Sequence, residues 1–152
     1  MKQFLIHTST IIFAIFIGSQ ITEGVLLVPY WQSLPAPDFY AYYSEFGTVI
    51  GRFYTILTIL AAAIPICVAI YCRLTKTDAF KFAAIASLFA ILFIAFFYVY
   101  FKDTNELFFQ AALSETALQE ELVTWSYWHW GRIVVEVISL SFLIVAFDRM
   151  RA

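Results

Sequence analysis

Four long apolar runs dominate the chain, at about 4–28, 48–71, 80–101 and 125–147, and the polar residues gather in the short stretches between them. Each run is close to the roughly 20 residues that an α-helix needs to cross the hydrocarbon core of a bilayer. The pattern predicts an all-α protein, an integral membrane four-helix bundle in which spans and short loops use up residues 1–152 as a single domain. The first run is longer than the core of a signal peptide and lacks a small-x-small cleavage site, so it is expected to be retained as a span.

The polar stretches predict further local structure. In VPYWQSLPAPDFYAYYSEFG, Pro29, Pro35 and Pro37 are expected to break any helix leaving the first span. Asp38 would then cap a short aromatic-rich helix lying at the interface. Thr116 and Gln119 fit a capping box, and Leu118, Leu122, Trp125 and His129 recur at helical spacing. The fourth helix should therefore start near Thr116 and protrude before it enters the membrane. Gly47, Gly51 and Thr55 form a small-residue ladder suited to close approach of another backbone. Pro65 should bend the second helix.

Composition sharpens the membrane reading. Hydrophobic residues make up 62% of the chain and charged residues 13%, against about a quarter charged in soluble domains. Aromatics reach 20%, with Trp and Tyr concentrated at the ends of the runs, where amphipathic rings favour the membrane–water boundary. A net charge of -2 without a basic stripe excludes nucleic acid as a partner. Lys2, Arg73, Lys76, Lys81, Arg149 and Arg151 fall on one side of the spans. Asp38, Glu45, Asp103, Glu106, Glu115, Glu120 and Glu121 fall on the other, with Lys102. The excess of Lys and Arg predicts that both termini are cytoplasmic, and a bacterial inner membrane is the expected location. Cys67 and Cys72 are five residues apart, on different helix faces, and are expected to be reduced structural thiols.

Ionisable residues inside the spans are the candidate chemistry, because a charge at mid-bilayer costs about 2.5–3.5 kcal/mol on insertion scales. On the fourth helix, Trp125, His129, Arg132, Glu136 and Ser139 fall within an arc of roughly 80°, a stripe that must face the bundle interior. Arg132 and Glu136 are an i,i+4 pair able to neutralise each other. Gln20, Glu23 and Gly24 share a face of the first helix, and Arg52 lies near the outer end of the second. With alternate spans running in opposite directions, Glu23, Arg52, His129 and Arg132 are expected at one depth in the outer half. Two readings follow: a reactive or ligand-binding pocket, or a purely structural polar network. Glu23, His129 and Glu136 are metal-capable, but two adjacent arginines oppose a cation, and no metal or other cofactor is expected.

The stretches EGVLLVPYW, NELF and WSYWHWGR resemble the small four-span family that includes the anthrone oxygenases, a family otherwise largely known as a domain of unknown function. That resemblance implies oxidation of an anthrone to an anthraquinone by molecular oxygen, without metal or flavin. It carries functional positions onto Glu23, Gly24, Pro29, Asn105, Trp125, His129 and Arg132. The expected chemistry is binding or oxidation of a lipophilic, phenol- or anthrone-like molecule that enters laterally from the outer leaflet. Glu23 or His129 would take a proton, Arg132 with Arg52 would hold the anion, and Asn105, Trp125 and Glu136 would complete the pocket. The alternative is a non-enzymatic accessory or assembly subunit of a larger membrane complex, or a homo-oligomer. Four short spans make little alternating-access machinery, which disfavours a transporter.

Overall fold

The computed structural model describes residues 2–151, and all of its regular structure is helical. α1 (Lys2–Thr22) passes through a π-helical turn at Glu23–Leu27 into α2 (Val28–Ser33). α3 (Ala36–Leu74) follows almost at once. α4 (Phe80–Phe96) passes through a second π-helical turn at Phe97–Phe101 into α5 (Lys102–Phe109), and α6 (Glu115–Arg151) completes the chain. Four of the resulting rods are long and apolar enough to cross a membrane: Ile6–Ser33, Ala36–Leu74, Phe80–Phe109 and Glu115–Arg151.

The rods alternate in direction and close a ring in which α1 packs on α3 and α6, and α4 packs on α3 and α6. One end of the bundle carries both termini and the α3–α4 connection; the other carries the α2–α3 and α5–α6 connections. Large apolar side chains such as Ile15, Phe53, Ile59, Leu88, Val134 and Ile144 are exposed around the outside, a surface suited to lipid rather than to water. The hydroxyls of Thr10, Thr22, Thr55, Ser87 and Ser141 bond back to carbonyls four residues earlier in their own helices, which satisfies them without solvent.

The helices run further than the apolar runs predict. The expected interfacial helix around Asp38 is the first part of α3, which starts at Ala36 rather than near 48. Leu34 is extended and Pro35 occupies the N-cap, so Pro35 and Pro37 sit where no helical N–H is needed and start a helix instead of breaking one. Pro29 differs, because it lies inside a continuous helix directly after the π-helical turn. α6 starts at Glu115, close to the expected Thr116, but its cap is Ser114, whose Oγ accepts from the Ala117 N–H. Gln119 donates instead to the Leu34 carbonyl at 3.1 Å. Glu115 accepts from the Ala36 N–H at 2.8 Å, and the Tyr40 hydroxyl donates to the Leu113 carbonyl at 2.9 Å. These bonds tie the two loop-end connections together. Cys67 and Cys72 are free thiols, Pro65 is buried within α3, and the side chain of Lys2 lies outside the described residues.

Both π-helical turns shift a buried row by one position. Ile6, Phe13 and Gln20 recur at intervals of seven, yet Val28 is buried where Leu27 would be next. Phe93 is followed by buried Phe101 rather than by Tyr100. One added residue turns everything beyond it by about 100°, so these two turns decide what faces the loop-end interior.

Candidate functional site

Where α1 widens, the Val28 N–H reaches back five residues to the Glu23 carbonyl. Pro29 has no N–H to continue the ordinary ladder, and the widened turn buries Glu23 and Gly24 against α6. Gly24 permits this close approach: a Cβ would stand 3.0 Å from His129 Cδ2 and 3.1 Å from Trp130.

His129 is fully buried. Its Nε2 lies 2.8 Å from the Gln20 carbonyl oxygen; a carbonyl can only accept, so Nε2 carries the proton. Nδ1 lies 2.7 Å from Arg132 Nη2; a guanidinium can only donate, so Nδ1 accepts. These two partners assign His129 as the neutral Nε2–H tautomer with its lone pair already engaged. The same Arg132 Nη2 donates to Glu23 Oε2 at 3.1 Å, while Glu23 Oε2 and His129 Nδ1 are 3.7 Å apart. Arg132 thus joins an acid on the first span to a histidine on the last.

Aromatic rings hold this triad in place. Trp125 stacks on His129 at 5.0 Å and 13°. The Arg132 guanidinium lies 4.3 Å from the centre of Phe101, the residue turned inward by the second π-helical turn, and 5.4 Å from Trp125. Such faces attract a cation. Trp125 Nε1 donates to Asn105 Oδ1 at 3.1 Å, which leaves the Asn105 Nδ2 group as a donor. The Tyr54 hydroxyl donates to the Ser19 carbonyl at 3.0 Å and stands beside Glu23.

Glu23 and Arg132, with His129 buried behind them, line one wall of a partly open cavity of about 460 Å³, to which Gln20, Trp31, Tyr43, Asn105 and Trp125 also contribute. Its size is that of a small-molecule site. Several lining groups are buried without a hydrogen-bond partner among the described residues: both amide atoms of Gln20, Nε1 of Trp31 and Nε of Arg132. Buried polar atoms are otherwise almost always paired; these have almost no exposed area, and their concentration in residues of one wall sets that wall apart.

Of the residues singled out from the sequence, Glu23, Asn105, Trp125 and Arg132 line the cavity, and His129 supports Arg132 and Trp125 from behind without lining it. Glu136 does not line the cavity. It is buried one turn farther along α6, its Oε2 is unpartnered, and the expected Arg132–Glu136 ion pair does not form because Arg132 turns toward Glu23. Arg52 is exposed, outside the cavity lining and in none of the ion pairs among the described residues. α3 begins at Ala36, which puts Arg52 several turns down the helix on its outer face rather than near its end. The Gly47–Gly51–Thr55 ladder admits no helix backbone; it lines the cavity, and a Cβ on Gly51 would meet nothing within 4 Å. Sequence reasoning noted Gln20 only as a neighbour of Glu23 and missed Trp31, Tyr43 and Tyr54. Their signal was spacing, since Tyr43, Gly47 and Tyr54 keep one face of a helix that had not been expected to start so early. Among the described residues, no group of three or more His, Cys, Asp or Glu side chains is arranged to hold a metal. No protein family, curated protein or solved structure matches the chain.

Proposed function

We propose that this is an integral membrane protein whose loop-end cavity binds a lipophilic phenol- or anthrone-like molecule and removes a proton from it at Glu23, in the manner of a cofactor-independent oxygenase. The observation that carries this reading is the Glu23–Arg132 pair set in the wall of a cavity among buried, unpartnered polar atoms. Glue between helices would leave such groups paired with one another. His129 has no free lone pair while Arg132 holds its Nδ1, so the proton acceptor is Glu23 and His129 is a positioning residue. The partly exposed Arg132 guanidinium and Asn105 Nδ2 supply donors to the oxyanion that forms.

The resemblance to the anthrone oxygenases supplies the reaction. A C–H proton of the anthrone passes to Glu23, and the resulting carbanion gives electrons to molecular oxygen. Each anthrone and O2 yield one anthraquinone and one water. The same reading has both termini cytoplasmic in a bacterial inner membrane, supported by Arg73, Lys76, Lys81, Arg149 and Arg151 at the terminal end.

The test is oxygen uptake and anthraquinone absorbance with anthrone and the purified protein in lipid nanodiscs. Glu23→Gln, nearly the same in shape, is expected to lower the rate by about 100-fold or more while the helical circular dichroism is kept. Equal rates for the two proteins, or no rate above that of empty nanodiscs, would defeat the proposal.

A further inference from the structure

The charged, amide and indole groups of the cavity lie at one side. Gln20, Glu23, Trp31, Asn105 and Arg132 belong to the wall made by α1, α2, α5 and α6, while the opposite side is bounded by α3 and by α4 with its π-helical turn. Along α3 the lining splits into two rows. Gly47, Ile50, Tyr54 and Thr58 are buried or half-buried, whereas Gly51, Thr55 and Ile59, each four residues from the next, are exposed. Facing them, Phe97 and Tyr98 are also both lining and exposed. Residues that line a cavity and also reach the outer surface are its rim, so the opening is a slit between α3 and the α4 turn.

The rim is apolar. The Thr55 hydroxyl is spent on the Gly51 carbonyl at 2.7 Å, which leaves its methyl to the slit, and Ile59 is 62% exposed. Thr55 and Ile59 lie within the apolar run of about 48–71, and exposed Arg52 beside Gly51 marks the loop-end limit of the slit, so in a membrane-spanning helix the slit opens onto the outer part of the hydrocarbon.

We propose that the ligand is a membrane-dissolved amphiphile with a polar ring and an apolar tail, and that it enters through this slit and leaves its tail there. The inference rests on the proposed function, because the ring is what reaches Glu23; the slit and the tail are additional. Apolar tails find in the slit an environment like the lipid they leave, so a tail adds little affinity there but must be tolerated. A closed pocket would reject it.

The experiment compares 2-naphthol with a 2-naphthol bearing a ten-carbon alkyl chain, binding to the protein in nanodiscs, with dissociation constants expressed per mole fraction of probe in the lipid. The wild-type protein is expected to bind the two within about threefold of each other. Gly51→Phe, whose ring enters open space, is expected to weaken the tailed probe by about tenfold or more relative to the parent. Thr55→Trp provides the same obstruction if Gly51→Phe fails to fold. Binding of the parent with rejection of the tailed probe would overturn the slit and leave the proposed function standing. The same holds if the obstructing variants do not separate the two probes. Binding of neither probe to the wild-type protein would overturn both.

Discussion

Toward the termini, the four helices meet over Ala61, Ala83, Ala86, Ala90 and Ala146, all buried, together with Phe13, Phe16 and Leu143. Toward the loops, the same helices are separated by Trp31, Phe39, Tyr43, Phe101, Phe108 and Trp125, which meet largely edge to face. Alanine lets helix backbones approach closely; rings hold them apart. The two halves therefore differ in what their side chains enclose. The alanine half closes, whereas the aromatic half, with a π-helical turn on each of two spans, frames a cavity around charged groups. A fold that needs a cavity in a bundle can obtain it by changing residue size along each helix, without changing the number or direction of the helices.

The largest effect is expected at the charged centre of the open half. Arg132→Met removes the cation from Glu23 and the donor from His129 Nδ1, leaving a buried carboxylate without its partner. Breaking a buried pair in this way costs about 3–5 kcal/mol. Unfolding of the variant in detergent, followed by circular dichroism, should show a loss of that size. Adding Glu23→Gln should recover much of it, because the double variant no longer buries an unpaired charge. Failure of the second change to recover stability would mean that Arg132 acts through its packing on Phe101 and Trp125 alone.

The alanine half and the open half were not equally legible. The spans could be read from apolar run length, and the convergence of Glu23, His129 and Arg132 from helical spacing and the alternating direction of the spans. The partner of Arg132 was not readable. Glu136 at i+4 is the nearer acid in sequence, but Gly24 lets α1 approach so closely that Glu23 wins. The π-helical turns were hidden for a different reason. In helices apolar on every side, a one-residue shift from Leu27 to Val28, or from Tyr100 to Phe101, replaces one apolar residue by another and leaves no mark on the pattern. Arg52 shows a different limit: its neighbours Gly51 and Tyr54 share the cavity with Glu23 and Arg132, so its depth was legible, but its face was not.

A smaller effect tests whether the close approach at Gly24 maintains the open half. Gly24→Ala puts a methyl 3.0 Å from a His129 ring held between Trp125 and the Gln20 carbonyl. The ring has to shift by a few tenths of an ångström against those partners, and overpacking of this kind costs about 1–3 kcal/mol. Displacing His129 also releases Arg132 Nη2, so oxygen uptake with anthrone should fall more than stability does. An unchanged rate and stability would remove Gly24 from the account.

The smallest effect is expected in the alanine half. Ser139 is buried and its hydroxyl donates to the Ala86 carbonyl at 2.8 Å, joining α6 to α4 away from the cavity. Interhelical hydrogen bonds in membranes average about 0.6 kcal/mol, and Ser139→Ala removes this one while leaving a methyl in the same close-packed seam. Stability in detergent should fall by about that amount, and oxygen uptake should stay within about twofold of wild type. Ser139 lies on the α6 face that carries Arg132 two turns away, so a larger loss of activity would mean that the seam sets the position of Arg132. The two halves would then have to be treated as one mechanical unit, with alanine packing fixing the geometry of the charged site.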